Sequence, residues 1–144
     1  MPGQRVVNLL VRAMLRTPGL APIVGGRLVT LYIAGRKSGR RYCVPVAYIA
    51  DGNDLLIGTS SGWGRNLHTG EPVAIRLKGK RRRADVQVST REPEVVSAYA
   101  YMARVNHTFA KFSNIHVSKD GEPDRHDLHL AWAGGARAIR LTPQ

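Results

Sequence analysis

From Arg27 onward the apolar residues recur in steps of two, in runs of five to nine residues bounded by turn-forming clusters. Residues 28–34 predict a strand, 35–39 a turn, and 42–50 the return strand. Asp51-Gly52-Asn53-Asp54 is a strong turn signal leading into a strand over 55–59. Ser60-Ser61-Gly62 opens a polar loop before a short helix over 63–69. Pro72 precedes a strand over 73–78, Gly79-Lys80 turns it into 82–89, and 136–141 is the closing strand. Connections this short favour antiparallel neighbours. Such meanders bury one face against helices or close into a small barrel, which removes exposed edges. The expected fold is therefore α+β: six mostly antiparallel strands in a small barrel with flanking helices, one domain over residues 1–144.

Two stretches switch to helical period. In residues 4–16, Arg5, Asn8, Arg12 and Arg16 recur at 3-4-4 spacing while Val6, Val7, Leu10 and Met14 cover another face, and Thr17-Pro18-Gly19 stops the helix. This amphipathic helix and its lead-in (1–26) either dock on the domain or lie on an anionic membrane surface. Residues 92–112 predict a second helix, with Thr90 as cap, Pro93 near its start and Val95, Ala98, Tyr99 and Met102 on one face. Residues 114–127 read as polar and irregular, with 119–123 as their tip.

Charge narrows the partner more than the fold. The chain carries 22 Lys+Arg against 10 Asp+Glu, a net charge of +12, and its first 50 residues hold eight bases and no acid. Such an excess attracts nucleic acid, anionic membrane or a polyanionic small molecule. A second basic cluster, Lys78, Lys80, Arg81, Arg82 and Arg83, lacks the interleaved aromatics of a nucleic-acid stacking platform, which disfavours that partner. No apolar run approaches the roughly 20 residues a membrane helix needs. The single cysteine, Cys43, excludes an internal disulfide and fits a reducing cytoplasm, the expected location, with peripheral membrane contact through the first helix as an extension.

Two constellations carry chemistry. In Gly35-Arg36-Lys37-Ser38-Gly39, flanking glycines permit positive φ, so backbone N–H groups can turn toward an anion beside two cationic side chains and a hydroxyl. A charged hairpin turn is the plainer reading, and the spacing excludes a nucleoside-triphosphate loop. In Thr59-Ser60-Ser61-Gly62-Trp63-Gly64-Arg65-Asn66-Leu67, short hydroxyls and glycines suit the polar edge of a flat ring, with Trp63 to stack and Arg65 beside a phosphate. Equally, Trp63 can be a core anchor at a helix start. His126, His129, Asp124 and Asp127 lack a further metal-ligand signature, and neither the serines nor Cys43 sits in a nucleophile frame. No metal site is expected and no catalytic residue is assigned. An enzyme without an evident acid, base or metal takes its reactivity from a cofactor.

Taken together, Gly35-Arg36-Lys37-Ser38-Gly39, Pro45, Tyr48, Asp51-Gly52, Trp63-x-x-Asn66-Leu67 and Pro72 resemble the deazaflavin-dependent nitroreductase family over residues 27–112 and the final strand. Those proteins are split β-barrel oxidoreductases, akin to flavin reductases and pyridoxamine-phosphate oxidases, that use the 8-hydroxy-5-deazaflavin coenzyme F420. The resemblance implies that Arg36, Lys37, Ser38 and Gly39 hold the coenzyme's anionic tail. It implies that Tyr42, Val44, Pro45 and Val46 run along it, and that Gly58, Thr59, Ser60, Ser61, Trp63, Arg65 and Asn66 flank the ring. Phe109 and Phe112 fall on the substrate side. The implied reaction is hydride transfer from the reduced coenzyme to a small quinone, enone or nitro acceptor, and split barrels often pair as homodimers.

The sequence departs from the family in a nearly absent loop between Gly62 and Trp63, in Ser61 where lysine is common, and in phenylalanines at 109 and 112 where the family carries tyrosines. These departures motivate an alternative: a split-barrel protein that binds FMN, haem or a fatty acid without deazaflavin chemistry.

Overall fold

The structure, a computed structural model, describes residues 27–35 and 40–144. The helix expected within 1–26 and the turn residues Arg36, Lys37, Ser38 and Gly39 lie outside the described residues. Among the described residues seven strands form one antiparallel sheet: β1 (Leu28–Ala34), β2 (Arg41–Ala47), β3 (Ile49–Asp51), β4 (Asp54–Thr59), β5 (Val73–Leu77), β6 (Lys80–Ser89) and β7 (Arg137–Pro143). Their order across the sheet is β2-β1-β5-β6-β7-β4-β3. A 3₁₀ helix (Gly62–Asn66) follows β4, and α1 (Glu92–Val105), α2 (His107–Phe112) and α3 (Arg125–Ala133) lie between β6 and β7.

Seven strands rather than six is a correction, and its cause is the closure of the sheet. The stretch expected as one strand over 42–50 pairs with β1 through Ala47 and with β4 from Ile49. The two ends of the sheet order are thus joined by one residue, Tyr48, so the sheet must curl back on itself. Val44, Val46, Tyr48 and Ala50 all join the same interior cluster. The alternation runs through the change of partner without a break, which is why periodicity cannot show it. The amide of Tyr48 instead donates to the Arg27 carbonyl at 3.0 Å.

Inside the curl, Val29, Leu31, Val44, Ile75, Ala84, Ile139 and Leu141 are fully buried. Each branched side chain removed from water in this way contributes about 1.5–3 kcal/mol. The opposite face of β4 and β7 turns outward and carries Leu56 and Ala138 into a second cluster with Val95, Tyr99, Met102 and Ala103 of α1, Ala110 of α2 and Leu128 of α3. This outer layer covers the β4–β7 side of the sheet.

The helices differ from expectation in three places. The helix over 92–112 is broken at Asn106, whose extended backbone starts α2 and whose side chain accepts from the Phe109 amide at 2.9 Å. Arg91, not Thr90, stands at the start of α1 and makes no side-chain cap, while Glu92 and Glu94 place negative charge in its first turn. The segment read as irregular ends in α3, capped by the Asp124 carboxylate accepting from the Asp127 amide at 3.0 Å. The helix expected over 63–69 is a single 3₁₀ turn. Among the described residues no helix is long and apolar enough to cross a membrane.

Candidate functional site

The stem of the glycine-flanked turn is fixed even though its tip is not described. Ala34 pairs with Arg41, and the Gly35 amide donates to the Arg40 carbonyl at 2.8 Å. Residues 34, 35, 40 and 41 thus close the end of the β1–β2 pairing. From the same edge, Tyr42 reaches the 3₁₀ helix: Asn66 Nδ2 donates to Tyr42 Oη at 2.6 Å across 24 residues of sequence. That bond brings together two stretches which the resemblance assigns to the tail-side strand and to the ring.

The ring-side stretch is held by its own contacts. The Ser61 amide donates to Thr59 Oγ1 at 3.0 Å, which fixes the corner between β4 and the 3₁₀ helix. A Cβ at Gly64 would lie 3.2 Å from Thr59 Cγ2, so the helix packs closely on the strand end. Trp63 is 6% exposed and belongs to the interior cluster, as does Leu67. The indole thus anchors the 3₁₀ helix from inside, and Arg65 and Asn66 are carried by that anchored turn. Ser60, Ser61 and Arg65 are exposed.

Gly58 is the tightest point. A Cβ there would stand 2.9 Å from Phe109 Cε2 and Cζ and 2.9 Å from Tyr99 Cζ. Phe109 meets Tyr99 edge-on, with ring centroids 5.2 Å apart at 65°. Tyr99 is nearly buried, and its hydroxyl donates to the Arg137 carbonyl at 3.4 Å. Burial pushes its phenol far above the ordinary tyrosine range, so it stays protonated across physiological pH. Of the two expected substrate-side residues, then, Phe109 is brought onto the ring-side stretch, whereas Phe112 is 56% exposed at the end of α2. Asn106, which orients Phe109, escaped the sequence reading. Its position three residues before Phe109 is the capping signal that points to it.

The strand expected to run along the coenzyme divides by face. Tyr42, Val44 and Val46 point into the curl of the sheet, Val44 wholly so, and Pro45 lies on the other face opposite Thr30. The histidine cluster has other partners: His129 Nδ1 lies 2.6 Å from Glu92 Oε1, and Asp127 accepts from the His116 amide at 2.9 Å. Among the described residues no three potential metal ligands come together.

A cleft of about 460 Å³ opens between α1 and the outer sheet face, lined by Leu56, Gln87, Ser97, Tyr101 and Arg140 among others, and none of the expected site residues lines it. At its rim Arg140 Nη1 bridges Asp54 at 2.8 Å and Asp51 at 3.1 Å. The guanidinium, with a second hydrogen bond from Thr142, holds the Asp54 carboxyl below the usual aspartate range.

No protein-family model matches the chain. No curated protein matches it either. Solved structures do. A proposed 5-nitroimidazole antibiotic resistance protein from Bacteroides thetaiotaomicron aligns with a TM-score of 0.52 at 11% identity, covering 89% of this chain and 80% of its own. A chain solved as a domain-swapped dimer aligns with a TM-score of 0.50 at 14% identity over 98% of this chain and 99% of its own. An F420 reductase aligns more faintly, with a TM-score of 0.48 at 13% identity over 92% of each chain. At these identities the first two likenesses show a shared fold.

Proposed function

We propose that this chain is a split β-barrel oxidoreductase, one domain acting as a homodimer, that uses reduced coenzyme F420 to reduce a small quinone, enone or nitro acceptor. The observation that carries the reading is the convergence of stretches distant in sequence. Tyr42 beside the glycine-flanked turn, Asn66, the Thr59–Ser61 corner and the Gly58–Phe109 contact form one connected run of neighbours. A fold shared with a protein described for 5-nitroimidazole resistance is in keeping with a nitro acceptor, and one shared with a domain-swapped dimer with pairing.

The donor set suits such a coenzyme. Ser60 and Ser61 offer exposed hydroxyls, and Arg65 and Arg41 offer guanidinium groups with no ion pair among the described residues. Hydroxyl donors match a polar ring edge, and guanidinium groups match phosphate and carboxylate. When bound, the deazaflavin supplies the hydride. The protein's share is placement. Arg36 and Lys37 would hold the tail by charge and Ser38 by its hydroxyl, Trp63 fixes the 3₁₀ helix so that Arg65 and Asn66 keep their positions, and Phe109 excludes water from the β4 end. Tyr99 remains protonated and supports Phe109 by edge contact.

The turn's role is tested by titrating oxidised coenzyme into wild type and Lys37→Ala over a range of salt. The variant binds more weakly and with a flatter salt dependence. Unchanged affinity would remove the turn from tail binding. The phenyl side chain at Phe109, packed on Gly58 without a hydroxyl, favours a second reading, a barrel that holds FMN, haem or a fatty acid. Native mass spectrometry of the purified protein separates these ligands by mass.

A further inference from the structure

The basic run that ends the β5–β6 hairpin has no part in the proposed reaction. Lys78 and Gly79 form its two-residue turn, with φ of 51° and 78°. Directly behind the turn, Arg76 and Arg81 are paired across the two strands. Like charges at opposed positions, with Cα atoms roughly 5 Å apart, repel. Both nevertheless converge on one side chain of β1: Arg76 Nε donates to Tyr32 Oη at 3.2 Å, and the Arg81 guanidinium lies 4.4 Å from the centre of the Tyr32 ring. Ala84 and Val86 are buried, so the alternate residues Arg81 and Arg83 share the outer face with Arg76 and Tyr32.

Nothing acidic among the described residues pairs with this charge. Among the described residues Arg76, Lys78, Lys80, Arg81 and Arg83 have no ion pair. Arg82 is engaged by the main-chain oxygen of Gln144, and Asp85, the nearest acid along β6, accepts from Gln144 Nε2 at 2.8 Å. Two guanidinium groups held side by side on one tyrosine, each with N–H donors left over, make a site for an oxyanion.

We infer that the outer face of β1, β5 and β6, centred on Arg76, Tyr32 and Arg81, binds a small soluble polyphosphate-type anion. Arg76, Arg81 and Arg83 on the outer face, with Lys78 in the turn beside them, suit several negative charges. Arg81 already lies over the Tyr32 ring and no aromatic is interleaved among residues 76–83 to stack on bases, and the one apolar residue between the cations, Leu77, is buried and cannot enter a bilayer. The two sites lie toward opposite ends of β1. Tyr32 stands two residues before Ala34, about 7 Å along the strand, and the β5–β6 turn lies beyond Leu77, which is opposite Val29.

The test is isothermal titration of the full chain with inorganic tripolyphosphate at low ionic strength. Wild type binds saturably at one site. Arg76→Ser with Arg81→Ser weakens binding by about tenfold or more, the effect of losing one charge-assisted hydrogen bond or more. Tyr32→Phe, which keeps the ring beneath Arg81 and releases Arg76, weakens it by a smaller factor. Lys111→Ser with Arg125→Ser removes equal charge from α2 and α3 and keeps wild-type affinity. Equal losses in the two double variants would assign the effect to net charge and overturn the inference. So would the absence of wild-type binding, or binding only to a DNA duplex or to phosphatidylserine vesicles. At about 0.15 M salt, where separated surface charges are screened, the Arg76/Arg81 double variant changes coenzyme affinity no more than the Lys111/Arg125 double variant does, so this site and the coenzyme site stand or fall separately.

Discussion

Replacing Gly58 by alanine tests the packing at the centre of the proposed site. The added methyl would meet two Phe109 ring carbons and one Tyr99 carbon at 2.9 Å, where ordinary contact begins at 3.4 Å. One partner cannot yield easily, because Tyr99 is 4% exposed and packed among α1 and α2 residues. Phe109 can, since it is half-buried on a six-residue helix. The ring must therefore move by about 0.5 Å and loosen its edge contact with Tyr99, an overpacking cost of about 1–3 kcal/mol. At this chain length that lowers Tm by roughly 2–10 °C. Urea denaturation of Gly58→Ala, Phe109→Leu and the double variant isolates the cause. Leucine lacks the two clashing ring carbons, so the alanine costs less in that background and the coupling reaches about 1 kcal/mol. An alanine that is neutral, or equally costly in both backgrounds, would refute the contact as the reason for glycine at this position.

Other outcomes follow from single interactions. Tyr42→Phe removes the acceptor for Asn66 Nδ2 and lowers stability by about 0.5–1.5 kcal/mol in denaturant titration, with coenzyme affinity reduced as the 3₁₀ helix loosens. Arg140→Ala leaves Asp51 and Asp54 facing each other and costs at most about 1 kcal/mol at neutral pH, because these partly exposed pairs are screened by solvent. Since the folded pKa of Asp54 is lowered, this stabilisation is full above the ordinary aspartate value and is lost as pH falls below about 4; the gap between wild type and variant, followed by thermal melts, closes in that window. Lys78→Asn suits the left-handed backbone of the hairpin turn better than lysine and raises stability by about 0.5 kcal/mol in the same assay.

Local features of this fold were legible in the sequence to the degree that one strand meets one neighbour. Leu28–Ala34 is bounded as its alternation indicates, and β5, β6 and β7 start or end within two residues of expectation. What sequence reading missed depends on partners far along the chain. Tyr48 carries a strand from one end of the sheet to the other without a change of phase, so the count of strands was short by one. α3 buries one residue, Leu128, and so shows little periodicity beyond its Asp124 cap. Within the candidate site, the residue types of the Thr59–Leu67 stretch could be read, while Trp63 as ligand face or core anchor could not, since both uses want the same ring after a glycine. The Tyr42–Asn66 bond and the Gly58–Phe109 contact join residues 24 and 51 positions apart, and no local pattern encodes either.

In the proposed function the curled sheet holds a deazaflavin by its anionic tail. A fluorescence titration of purified protein against oxidised F420 at low ionic strength, repeated with FMN and in added salt, addresses it directly. F420 should bind saturably, FMN more weakly because its anionic tail is shorter, and F420 affinity should fall as salt screens the tail contacts. Absence of F420 binding at low ionic strength would contradict the proposed function.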